Sequence, residues 1–244
     1  MILFITGNDT NIGKTFVTAL LTDCLSEKYK SIAVVKPIES GVNSTNKSDL
    51  DLIKALNKHN LDKLDFFNFY SFKQPLAPLT ASILAKTNIK KEQITKNIHK
   101  LSKLYDLVIV EGAGGLRVPI GKNFEVIDLI GALKARTILV VLPFLGTINH
   151  TLLSVEALKR RKIKLEGVVI NRYPKRPNIS ELYNPIILKE NGINILGVVP
   201  QLLVEKLEKT QYSVKKWFAP SLNGEFQSQK FLANCKDKFS KIPR

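Results

Sequence analysis

The sequence predicts an α/β fold in which a mostly parallel sheet carries helices on both faces. Three observations lead there. Short apolar runs recur along the chain with helical stretches between them, the pattern of repeated βα units. Within those runs successive residues are apolar instead of alternating with polar ones, as strands covered on both faces require. The first run also leads straight into a glycine-bearing turn followed by a helical pattern.

The strands expected, in order, are 2–5, 31–36, 107–110, 137–142, 167–170 and 195–199. The first helix, 14–29, places Val17, Leu21 and Leu25 on one stripe with Phe16, Leu20 and Cys24 beside it, a helical period. Further helices are expected over 50–57, 78–86, 91–104, 126–135, 148–161, 179–190 and part of 202–209. A chain of 244 residues suits one large domain that buries most of the surface its unfolded form exposes. No low-complexity linker divides it. We expect one α/β domain over 1–212 and a polar, basic appendage over 213–244, containing Trp217, Phe218 and Phe231 and packed on the same domain.

Composition excludes several classes. With 44% hydrophobic and 24% charged residues the chain is ordinary globular material, neither disordered nor fibrous. The two cysteines, Cys24 and Cys235, form no C-x-x-C pair, so a thiolate metal site or disulfide scaffold is not expected. The longest apolar stretches, 137–145 and 165–170, fall far short of the roughly 20 residues of a membrane helix. Residues 1–6 have no basic flank and run into the glycine turn, so no secretion signal is read and a soluble, cytoplasmic protein is expected. The net charge of +16 is dispersed among Lys-rich helical stretches without interleaved aromatics, which reads as solvated helix faces and not as a nucleic-acid surface.

The chemistry begins at Gly7-Asn8-Asp9-Thr10-Asn11-Ile12-Gly13-Lys14-Thr15. A glycine loop between strand and helix turns successive backbone N–H groups toward phosphate oxygens, and the helix N-terminus adds a favourable dipole. Lys14 would reach the β- and γ-phosphates of ATP, and the Thr15 hydroxyl would ligate Mg²⁺. The first glycine stands one position further from the Gly-Lys pair than in the standard pattern. A second signal supports the loop: 107–115 is an apolar strand ending in Glu111, followed by Gly112, Ala113, Gly114 and Gly115. A carboxylate at that edge of a sheet can bind Mg²⁺, and the glycines let backbone approach a nucleotide. The expected class is therefore P-loop NTPase-like.

Three further segments join these two: Val35-Lys-Pro-Ile-Glu-Ser-Gly41, Phe144-Leu-Gly-Thr-Ile-Asn-His150, and Val169-Ile-Asn171 with Gly197-Val-Val-Pro200. Together they make the chain resemble the dethiobiotin synthetase family over roughly four fifths of its length, from Thr6 to about Pro200. That family carries the same offset form of the loop. The resemblance implies an ATP- and Mg²⁺-dependent enzyme that closes the ureido ring of dethiobiotin from 7,8-diaminononanoate and CO2, working as a homodimer without nucleic-acid or membrane partners. It implies Lys36 and Lys14 as catalytic cations and Thr15, Asp49 and Glu111 as metal-associated positions. Asp51 is the fallback for Asp49, and the alternative role for Asp49 is to cap the helix after it, which Ser48 could equally do. The nucleotide would meet Asn11, Ile12, Gly13, Lys14, Thr15, Phe16, Asp49, Glu111, Gly112, Ala113, Gly114, Asn171, Arg172, Pro200, Gln201 and Leu202. The substrate would meet Ser40 and, across the dimer interface, Gly146, Thr147, Ile148 and Asn149. Asn11 departs from the family by replacing an acid. Two other readings compete. A related amidotransferase component would want a glutaminase domain, for which the chain is too short. A partitioning-type switch ATPase would want a further lysine near the start of the loop, where Asn8, Asp9, Thr10 and Asn11 offer none.

Overall fold

The computed structural model describes residues 1–42 and 48–201. The expected helix within 202–209, the appendage over 213–244, Cys235 and the nucleotide-contact position Leu202 lie outside the described residues. In chain order the elements are β1 (Ile2–Gly7), α1 (Lys14–Ser26), β2 (Ile32–Ser40), α2 (Asp49–Leu56), a 3₁₀ turn (Lys58–Lys63), β3 (Leu64–Phe72), α3 (Pro78–Leu84), α4 (Lys91–Leu104), β4 (Leu107–Gly115), β5 (Pro119–Gly121), β6 (Phe124–Glu125), α5 (Val126–Leu133), β7 (Arg136–Val141), α6 (Thr147–Arg160), β8 (Leu165–Tyr173), α7 (Ile179–Glu190) and β9 (Ile195–Pro200).

The main sheet has seven strands in the order β3-β2-β4-β1-β7-β8-β9, and its registered pairs are all parallel. Its central strands are apolar at successive positions because the two faces have separate cores. Leu3, Ile5, Val34 and Ile109 pack with Val17, Leu21 and Leu25 of α1 and with Leu50 and Ile53 of α2. Their neighbours Phe4, Ala33, Val35, Val108 and Val110 pack on the opposite side with Ile94 and Ile98 of α4 and Ile127 and Ile130 of α5. A third cluster joins Leu139, Val141, Val168 and Ile170 to Val155 of α6 and Leu188 of α7. Each such strand buries both side-chain rows, so no polar alternation survives in its sequence.

Two differences from the expected elements matter for the site. Strand β3 was not expected, because Asp65, Asn68 and Ser71 interrupt its aromatic run; it is an edge strand whose side chains are largely half-buried. Strand β2 was expected to end at Lys36 but runs to Ser40, since its pairing with β3 continues to Ser40↔Phe72 while its pairing with β4 stops at Val35↔Val110. Pro37, which has no N–H to give, lies beyond the end of that second ladder. The small β5–β6 hairpin was also not expected; its turn uses Asn123 at φ 68, a left-handed conformation that Asn tolerates. Helix α5 stops at Leu133, two residues early, with Lys134 left-handed at its C-cap. Among the described residues no helix is long and apolar enough to cross a membrane.

Candidate active site

Where β2 and β4 part, each strand contributes the next residue. Lys36 and Glu111 follow the last registered pair, Val35↔Val110, and their side chains meet across the gap with Lys36 Nζ 2.7 Å from Glu111 Oε1. Lys36 Nζ also lies 2.6 Å from Asp49 Oδ2 and donates to the Gly112 carbonyl at 3.3 Å. The Thr15 hydroxyl, at the start of α1, donates to the same Glu111 Oε1 at 2.8 Å. The parallel register thus gathers residues 15, 36, 49 and 111 at the carboxyl ends of adjacent strands, where open α/β sheets bind ligands.

The glycine loop leaves β1 between β4 and β7. Gly13 is left-handed at φ 84 as the N-cap of α1, and a Cβ there would stand 2.2 Å from Asn171 Nδ2. That amide donates to the Ile12 carbonyl at 2.8 Å, so β8 clamps the loop from behind. Asn171 Oδ1 is buried without a hydrogen-bond partner among the described residues. Asn11 is left-handed as well, at φ 56, which gives a backbone reason for asparagine at that position. Lys14 folds back so that Nζ donates to the Asp9 carbonyl at 2.9 Å.

Asp49 is the first residue of α2 and is not its cap. Ser48 caps the helix: its hydroxyl accepts from Asp51 N at 3.1 Å while Asp51 Oδ2 accepts from Ser48 N. Asp51 therefore serves the helix end, and Asp49 is free to turn its carboxylate to Lys36. The Asp49 N–H in turn donates to Glu39 Oε1.

The charges are strongly coupled. Burial opposes the Lys36 ammonium, but Glu111 and Asp49 hold its pKa above the ordinary lysine value. Burial pushes Glu111 up against the pull of Lys36. For Asp49 burial works upward too, yet Lys36 and the Thr15 hydroxyl bring it below the usual carboxylate range. Burial pushes Glu39 up. Lys14 is lowered to about 8 by burial and by repulsion from Lys36.

These groups open into a cleft of about 700 Å³. Of the positions expected from the sequence, Asn11, Gly13, Lys14, Thr15, Phe16, Lys36, Ser40, Asp49, Glu111, Ala113, Gly114, Asn171, Arg172 and Pro200 line it. Ile12 is buried in the core with its carbonyl accepting from Asn171 Nδ2 and does not line the cleft, and Gly112 lies in the wall behind. Gln201 is exposed and is tied to Tyr173 O through its N–H. Gly146 to Asn149 form the N-terminal turn of α6 and are not among the residues lining the cleft, with Gly146 left-handed at φ 95. Thr10 of the glycine loop lines the cleft too, and sequence reasoning missed Glu39 and the 75–78 segment, which also line it. A charged residue inside the 35–41 segment was the available signal for Glu39; the 75–78 segment depends on β3 and had none.

A family model described as an AAA domain matches residues 2–209. The chain is 37% identical over 215 residues to the ATP-dependent dethiobiotin synthetase BioD of Bacillus velezensis, covering 87% of this chain and 92% of that protein. It is 39% identical over 212 residues to the protein of the same name from Thermodesulfovibrio yellowstonii, covering 82% and 88%. Among solved structures it is similar to the septum site-determining protein MinD of Pyrococcus horikoshii OT3 complexed with Mg-ADP, at TM-score 0.56 and 18% identity, covering 97% of this chain and 95% of that one. Apo McdA from Cyanthece gives TM-score 0.57 at 15% identity, with 98% of each chain covered. The two structural likenesses concern the fold alone.

Proposed function

The chain belongs to the ATP-dependent dethiobiotin synthetase family and is an ATP-dependent ligase, and from that premise we propose that it closes the ureido ring on 7,8-diaminononanoate by way of a carbamate and a carbamic–phosphoric anhydride. One amine adds to CO2 and loses a proton, giving the carbamate. A carbamate oxygen takes the γ-phosphoryl group and ADP leaves. The second amine then attacks the activated carbonyl carbon, its proton is lost, and phosphate departs as the ring closes.

The observation that carries this reading is the Lys36 ammonium, held buried at 2.6 and 2.7 Å from two carboxylates beside the glycine loop. Carbamate and triphosphate are both anionic, so their approach needs fixed cations, and phosphoryl transfer is accelerated chiefly by positioning and charge neutralisation. Lys14 serves the β- and γ-phosphates, and Lys36 serves the γ-phosphate and the carbamate. The donor set of Thr15, Asp49 and Glu111 fits Mg²⁺: all are hard oxygens, and Glu111 Oε2 is buried with no hydrogen-bond partner among the described residues. When bound, Mg²⁺ would neutralise phosphate charge. Asn171 Oδ1, buried in the cleft wall and left without a partner among the described residues, is an acceptor suited to the amino group of adenine. Arg172, Pro200 and the glycine-rich end of β4 complete the nucleotide side.

Ser40 faces the substrate. The N-terminal turn of α6, Gly146 to Asn149, takes the substrate carboxylate from a second copy of the chain, as helix N–H groups favour an anion. That this turn is not part of its own chain's cleft lining, and adjoins the exposed Phe144, Leu145 and Leu153, supports a homodimer. We place the enzyme in the cytoplasm without a nucleic-acid or membrane partner. Several surface arginines are already paired, Arg136 with Glu166, Arg160 with Glu156 and Arg161 with Asp128, which favours that reading of the basic charge.

Phosphate release from ATP should require both diaminononanoate and bicarbonate, with dethiobiotin formed in equal amount. Hydrolysis that proceeds equally without them, and is stimulated by DNA, would sink the reading.

A further inference from the structure

We infer that Glu39 is the positioning residue for the Asp49 carboxylate, holding the start of α2 against β2 so that Asp49 stays in the metal-binding set. The inference rests on the assignment of Asp49 to Mg²⁺ proposed above. The first N–H groups of a helix have no partner inside it. In α2 the Ser48–Asp51 capping box satisfies the amides of Ser48 and Asp51, and those of Asp49 and Leu50 remain outside it. The Asp49 N–H is taken by the carboxylate of Glu39, ten positions earlier on β2. A negative group at that end also complements the helix dipole.

Asp49 is therefore tied to β2 twice, by its main chain through Glu39 and by its side chain through Lys36 at 2.6 Å. In the reaction proposed above, only the main-chain tie is independent of what Lys36 binds. When Lys36 turns to phosphate or carbamate oxygens, its bond to Asp49 is given up, and Glu39 is the remaining hold from β2. Glu39 can fill this part because it is buried at 6% exposure, on a strand kept straight as far as Ser40 by the ladder to β3. Its Oε1 is spent on the main chain of α2, so its part in the site is assigned through Asp49.

The test separates geometry from charge. Glu39→Asp keeps the charge and withdraws the acceptor by one methylene; Glu39→Gln keeps an acceptor oxygen at the same reach and removes the charge. Mn²⁺ binding to the full chain with a non-hydrolysable ATP analogue is followed by electron paramagnetic resonance, alongside the Mg²⁺ concentration giving half-maximal dethiobiotin formation. Glu39→Asp should weaken Mn²⁺ binding about tenfold, the effect of losing a group behind a metal ligand, and raise half-saturating Mg²⁺ to match. Glu39→Gln should stay within about twofold of the parent, because an amide oxygen accepts the same N–H. The reverse order, or equal weakening in both, overturns the proposal, as does no change in Glu39→Asp while Asp49→Asn loses Mn²⁺. If Asp49→Asn itself binds Mn²⁺ like the parent, the metal assignment fails and the inference falls with it.

Discussion

Replacing Lys36 with methionine keeps most of the side chain's volume and removes its charge from between two carboxylates. The Lys36 and Glu111 side chains are 6% and 1% exposed, whereas Asp49 is 36% exposed and screened by solvent. The cost is therefore dominated by Glu111, left buried without a cation. Breaking a buried pair costs about 3–5 kcal/mol, and the partial exposure of Asp49 favours the lower end. At about 2–4 °C per kcal/mol for a chain of this size, the variant should melt about 6–12 °C below the parent at pH 8. The deficit should depend on pH. Burial already holds the Glu111 carboxyl above its ordinary value, and without the ammonium it rises further. A raised folded-state pKa means stability that is present below the unfolded value, about 4.3, and lost as pH climbs through the folded value. The gap should thus be small near pH 5 and widest near pH 8. Millimolar Mg²⁺ should restore part of it, because the oxygens of Thr15, Asp49 and Glu111 are then offered a cation without competition from Lys36. Circular dichroism melts at the two pH values, with and without MgCl2, provide the measurement. A variant that melts within about 2 °C of the parent at pH 8, or with the same deficit at both, would refute this account of the cluster.

Lys14, lowered to about 8 in the ATP-free protein, should be reprotonated by the triphosphate, so binding takes up about half a proton at pH 8 and affinity falls as pH rises further. Isothermal titration in buffers of different ionisation enthalpy measures the uptake; its absence at pH 8 would contradict the assigned environment. Gly13→Ala forces alanine to φ 84 and its Cβ onto Asn171 Nδ2, so it should destabilise by more than the about 1–2 kcal/mol of left-handed strain alone and weaken ATP binding. Adding Asn171→Ala should recover part of that stability, and a single variant that melts like the parent would refute the clamp. Asp51→Ala should cost about 0.5–2 kcal/mol of stability through the capping box with little change in Mg²⁺ requirement, while Asp49→Asn raises that requirement. Magnesium titrations of both variants that came out in the opposite order would exchange the two roles.

Local chemistry was enough to read much of this molecule. Runs such as Leu107 to Val110 declare buried parallel strands because both faces of the sheet are covered, and Gly13-Lys14-Thr15 after such a strand declares a phosphate loop because few other residues permit that turn. Positions 15, 36, 49 and 111 were individually legible as cation or oxygen donors. Their meeting was not. It depends on β2 and β4 parting after Val35↔Val110, and on β3 holding β2 straight to Ser40 beyond Pro37. Strand β3 hid behind Asp65, Asn68 and Ser71, which an edge strand can expose at no cost. The choice between Asp49 and Asp51 was open for the same reason, since both sit at one helix start and only the packing of α2 shows which turns to Lys36. Sequence alone determined the parallel α/β sheet, the phosphate loop and the kinds of group available to the chemistry, because those follow from short-range backbone preference and side-chain burial. The tertiary structure decided which groups touch, through strand register and helix docking between residues far apart in the chain. On that basis it brought Glu39, to which the sequence reading gave no role, to the main-chain N–H of Asp49.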